Sequence, residues 1–184
     1  MIALDISPKT ITEDAWMNKK ILVAALGACA LAASIPAYAQ SSSASGFSLK
    51  LGVLWPTDST TRDATSDTWF TVGAEFRFKD MPQTSDNMKA HLSVSVDWAE
   101  HDDVSIVPVM LNYVGENNQT YWMVGAGEAF LHAPGTDETK FCWQAGFGYN
   151  FENNGKMPMF VEARYVGNSE SSASAVIVDF GVRF

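Results

Sequence analysis

Polar and apolar residues alternate one for one over the stretch AVIVDFGVRF, from Ala175 to Phe184. Val176, Val178, Phe180, Val182 and Phe184 fall on one set of positions, and Asp179, Gly181 and Arg183 on the other. A period of two marks an extended strand, because successive side chains point to opposite faces of a sheet. Segments of about ten alternating residues, the length of a tilted membrane strand, recur upstream. They run over Gly46 to Trp55, Thr68 to Phe78, Met88 to Trp98, Val104 to Val114, Thr120 to Phe130, Lys140 to Phe151 and Met159 to Val166, eight with the last. Polar breaks separate them: PTDSTTRDATSD, KDMPQTSDN, AEHDD, GENNQ, LHAPGTDET, ENNGKMP and GNSESSAS. No long stretch after residue 40 has helical period, so the pattern predicts an all-β chain.

Sorting the strands by face sharpens this. One face collects Phe47, Leu49, Leu51, Val53 and Trp55, then Phe70, Val72, Ala74, Phe76 and Phe78, and comparable sets in the other strands. Aromatics bracket several strands, as with Trp122 and Phe130 or Phe141 and Phe151, the placement of amphipathic rings at the two interfaces of a bilayer. The other face holds Lys50, Glu75, Arg77, Lys89, Asp97, Glu162, Arg164, Asp179 and Arg183 among Ser, Gly, Asn and Gln. A soluble sandwich has no need to balance such charges. The lumen of an eight-stranded barrel is just wide enough for side chains to fill, and charges there must pair. The expected fold is an eight-stranded antiparallel up-and-down transmembrane β-barrel with a lumen charge network. Its central pairs, Glu162, Arg164, Asp179 and Lys50, are expected on the seam where the eighth strand meets the seventh and the first. The rival reading is a soluble periplasmic β-barrel that binds a small apolar ligand.

The front of the chain bears on compartment. From Met17 it reads MNKKILVAALGACALAASIPAYAQ: a basic start, an apolar run from Ile21 to Ala33, and Ala37-Tyr38-Ala39 before Gln40. This is the layout of a secretory signal peptide, with cleavage expected between Ala39 and Gln40. The apolar run is short of the ~20 residues of a spanning helix. Leu26-Gly27-Ala28-Cys29 is a weaker rival, a lipoprotein processing box. Acidic residues Asp5, Glu13 and Asp14 are wrong for the front of such a signal, so residues 1–16 read as a mis-assigned or non-native start. Residues 17–39 read as signal, 40–45 as a short polar leader and 46–184 as the barrel. The net charge of −9 makes nucleic acid an unsuitable partner.

The segments VSIVPVMLNYV, YWMVGAGEAF, WQAGFGYNF, PMFVEARYV and VIVDFGVRF resemble the small outer-membrane β-barrel proteins related to the transmembrane domain of outer-membrane protein A. The resemblance implies a cell outer membrane of Gram-negative type and a last strand read by the outer-membrane assembly machinery. Phe184, with Val178, Phe180 and Val182 as alternating apolar partners, would form that assembly signal. Outer-membrane lipids and lipopolysaccharide would be the other partners, the barrel a monomer, and its role structural, adhesive or that of a minor pore.

Two residues depart from the pattern. Pro108 lies inside the fourth strand, where its missing N–H predicts a local bulge. Glu128 falls on the apolar face of Trp122, Val124, Ala126 and Phe130, so it belongs at the interface unless a register shift turns it inward. With both termini periplasmic, the outer loops are Pro56 to Asp67, Ala99 to Asp103, Leu131 to Thr139 and Gly167 to Ser174. Their acids, Glu100, Asp102 and Asp103 above all, offer oxygen atoms to a divalent cation, but a solvated acidic tip is the better account of them; no metal is assigned. His91 and Ser93, two apart on one strand face, could place a hydroxyl beside a base, but no phosphate loop, nucleophile elbow or dinucleotide fingerprint accompanies them. The sequence therefore calls for no catalytic residue and no cofactor.

Overall fold

In a computed structural model, residues 46–64, 66–82, 88–151, 158–169 and 174–184 are described. Signal, cleavage site at Ala37, Ala39 and Gln40, Cys29 and the polar leader all lie outside them, as do 83–87, 152–157 and 170–173. Eight strands follow in order: β1 (Phe47–Pro56), β2 (Trp69–Asp80), β3 (Lys89–His101), β4 (Val104–Asn117), β5 (Thr120–Ala133), β6 (Thr136–Phe151), β7 (Met159–Asn168) and β8 (Ala175–Arg183). A short helix, α1 (Ser59–Ala64), lies between β1 and β2. The Asp58 carboxylate accepts from the Thr61 N–H at 2.9 Å and so caps its start.

Each strand pairs antiparallel with the next, and β8 returns to β1, closing the barrel. The closing seam runs from Ser48 opposite Arg183 to Pro56 opposite Ala175, which puts the start of β1 and the end of β8 at one end of the barrel. Closure leaves the sheet without a lateral edge.

The alternation becomes an inside and an outside. Leu51, Phe141 and Phe147 stand on the outside, 56%, 58% and 70% exposed. Trp55, Phe70, Trp98, Trp122, Phe151 and Phe180 share that face and are also exposed. Lys50 and Arg164 point inward and are 1% and 2% exposed. Inside, side chains stack in layers. Leu54, Trp69, Ala99, Val166, Ala175 and Ile177 form an apolar cluster toward the α1 end, and Val114, Tyr121, Met123 and Phe160 form another toward the terminal end. A third, Met110, Ala129 and Cys142, packs below Ile106. On β7 the inward positions read Phe160, Glu162, Arg164, Val166, so one strand crosses apolar, charged and apolar layers in turn.

Two expectations need correction. Pro108 makes no bulge: Val96 opposite Val109 and Ala99 opposite Ile106 keep one register on either side of it, and β5 pairs straight through, Ala129 opposite Pro108. The missing N–H is accommodated by a lapse in the β3 ladder instead of an inserted residue. The bulge lies elsewhere, in β2, where Arg77 faces Ser93 but Lys79 faces Leu92. Finally, the breaks AEHDD, GENNQ and LHAPGTDET are mostly strand. Hydrogen bonding continues past the apolar alternation, leaving tight turns at Asp102-Asp103, Asn118-Gln119 and Pro134-Gly135. Asp102 (φ 51°), Asn118 (φ 54°) and Gly135 (φ 82°) take the left-handed backbone that these residue types tolerate best.

Candidate functional site

The polar heart of the molecule lies between the apolar layers. Arg164, from β7, crosses the interior to Asp97 on β3 with a two-pronged pair, Nη1 to Oδ2 at 2.6 Å and Nη2 to Oδ1 at 2.7 Å. The same guanidinium donates to Asp179 Oδ2 at 2.7 Å and to Gln144 Oε1 at 3.0 Å, and stands 3.3 Å from Glu162. Planar donors in a fixed fork suit Arg to such a hub. Lys50 lies 3.4 Å from Glu162, 3.5 Å from Glu75 and 3.8 Å from Asp97. Hydroxyls satisfy the remaining acceptors: Tyr121 donates to Glu162 at 2.9 Å, Thr71 to Asp179 at 3.0 Å and Ser93 to Glu75 at 2.6 Å. A neutral chain extends the network, Gln144 to Asn112 and Asn112 to Ser95.

Glycine makes the space. A Cβ on Gly73 would strike the Asp97 carboxylate and crowd Lys50, and one on Gly52 would strike Asp179. These are close approaches that only a residue without a side chain permits.

The layer holds two bases, Lys50 and Arg164, against four carboxylates, Glu75, Asp97, Glu162 and Asp179. All six are among the sequence candidates. Arg77 and Arg183 stand apart, toward the terminal end. Arg77 pairs with Asp80 at 2.6 Å and with Glu116 at 3.8 Å, while Arg183 lies 3.4 Å from Glu116 with its guanidinium over the Tyr121 and Phe160 rings. Lys89 does not join either group and is exposed at the first position of β3. Glu116, Asp80, Thr71 and Tyr121 escaped the sequence reading: the first two sit in apparent polar breaks, the others carry no charge.

A cavity of about 50 Å³ opens among Ser48, Glu75, Arg77, His91, Glu116 and Arg183. His91 Nδ1 has no hydrogen-bond partner, and Ser93 is engaged by Glu75, so hydroxyl and imidazole are not joined as a nucleophile and base would be. Among the described residues no three His, Cys, Asp or Glu side chains converge on a metal position; Asp102 contacts His101 instead, at 3.3 Å. Glu128 is exposed on the outer face, opposite Val109 and Phe141, without a register shift. Of the residues expected in the assembly signal, Phe180 and Phe184 are exposed outside, near Phe151 and Phe47 at ring separations of 6.4 and 6.1 Å, and Val178 and Val182 are half-buried.

No family model matches the chain, and neither does any curated protein. Among solved structures it is similar to the Yersinia pestis outer membrane protein Ail in a phospholipid bilayer nanodisc. Identity is 13%, with 75% of this chain and 98% of that chain covered and a TM-score of 0.46.

Proposed function

We propose that the chain is an integral outer-membrane β-barrel protein with a structural role and a closed interior. One observation carries this reading: the barrel is inverted relative to a soluble one, with large apolar and aromatic side chains exposed around the outside and paired charges buried within. In water that outer surface would be a severe liability, whereas in a bilayer it faces lipid and the closed ladder satisfies the backbone. The soluble-barrel alternative needs an apolar ligand space, but the central interior is occupied by the charge layer and the apolar clusters around it. Both barrel termini would face the periplasm, and the turns at Asp102-Asp103 and Pro134-Gly135, with the α1 connection, would face outward.

Fractionation of expressing cells, followed by gel electrophoresis of unheated and heated membrane samples, tests the assignment. The protein is expected in the outer-membrane fraction with heat-modifiable migration. Recovery in the soluble periplasmic fraction would overturn it.

A further inference from the structure

The β2 bulge changes which residues meet lipid. Without it, strict alternation from Arg77 would put Lys79 inside and Asp80 outside. The inserted residue shifts the register: Asp80 comes opposite His91 and, though exposed at the barrel's end, reaches Arg77 at 2.6 Å, while Lys79 comes opposite Leu92, an outward position. Directly paired residues share a face, and bulges characteristically re-aim a side chain. Lys79 is exposed beside Phe76 and Phe78, themselves 44% and 47% exposed, at the terminal-end rim of the apolar belt. Among the described residues it forms no ion pair. The outward charges toward the opposite rim, Glu100 and Glu128, are both acidic and exposed.

We propose that the bulge builds a headgroup site for an anionic phospholipid at Lys79. The proposal rests on the membrane reading above. The ammonium would meet the lipid phosphate at the interface while Phe76, Phe78 and Leu92 receive the upper acyl chain. A lysine stem lying on apolar surface with its charge at the boundary is well suited to this. Because β2 ends at the same end of the barrel as the start of β1 and the end of β8, the site would meet the periplasmic leaflet.

The test uses the full barrel, folded in zwitterionic micelles and titrated with short-chain phosphatidylglycerol, with amide resonances of Phe78 and Lys79 as the readout. Saturable shifts are expected with phosphatidylglycerol and not with phosphatidylcholine. Lys79→Gln should weaken association roughly five-fold, the effect of one basic residue near an anionic surface; Lys79→Arg should restore it. Equal titrations for wild type and Lys79→Gln would overturn the site, as would identical shifts with inorganic phosphate alone. Failure of the membrane reading would look different: a dispersed, folded spectrum without detergent and no insertion into vesicles.

Discussion

Glu162 on β7 stands directly opposite Asp179 on β8. Like charges facing each other across a ladder repel, yet both side chains are buried. The arrangement holds because Arg164, two residues along β7, reaches both, at 3.3 and 2.7 Å, and Tyr121 and Thr71 add a hydroxyl to each.

Arg164→Met should therefore strand Asp97 and Asp179 together and cost ~3–5 kcal/mol, the usual penalty for removing one partner from a buried pair. Asp67→Asn, which breaks the exposed contact with Arg62 at 3.7 Å, should cost ~0–1 kcal/mol. The midpoint of the heat-modifiable gel shift measures both. Equal midpoints would mean that the buried network does not hold the barrel.

Substituting Gly73 probes the same layer sterically. Gly73→Val must displace Asp97 or Lys50 and should lose ~1–3 kcal/mol, the range for overpacking. Gly135→Asn, in a turn with open space around it, should change stability by under ~1 kcal/mol because Asn tolerates the left-handed backbone. Urea unfolding in vesicles gives the comparison.

Planar-bilayer recordings address transport. Wild type should show no steady conductance, since apolar clusters cap the charge layer at both ends. Removing the large caps in a Trp69→Ala, Phe160→Ala double variant should open a path. With Glu116, Arg77 and Arg183 added to the central layer, its lining holds five acids to four bases, and its reversal potential should favour cations modestly. An anion-selective current would contradict the charge arrangement.

Phe180→Ala and Phe184→Ala remove outward rings at the closing strand. If this strand is read during assembly, both should lower the yield of folded protein in cellular outer membranes several-fold while Ser169→Ala leaves it unchanged. Refolding into pure lipid vesicles separates recognition from lipid contact: a defect seen only in cells belongs to recognition.

Much of this was legible from alternation alone, because period two assigns faces strand by strand. Lys50, Glu162, Arg164 and Asp179 were placed together on the closing seam, where chain order dictates the neighbours. Asp97 as the cross-lumen partner of Arg164 was not, since which residue of β3 comes level with Arg164 depends on strand tilt and stagger. Glu116 and the extended hairpins were hidden for another reason: strands that leave the apolar belt keep their hydrogen bonds but lose the hydrophobic signal. The bulge at Arg77/Lys79 adds one residue to a run that reads as ordinary alternation, whereas Pro108, the residue that usually marks a bulge, sits in an unshifted register.

The span of the Arg164 contacts has a consequence for the order of folding. Its charged partners sit on β3, β7 and β8, and those of Lys50 on β2, β3 and β7; Glu75 pairs with Lys50 inside the β1–β2 hairpin and Glu162 with Arg164 along β7, but Asp97 meets both of its bases only when β3 faces β1 and β7 across the lumen. A half-built sheet would carry these charges toward the membrane interior without their counterparts. In a bilayer, insertion and ring closure would then be coupled, with the pairing of β1 and β8 completing the charge layer.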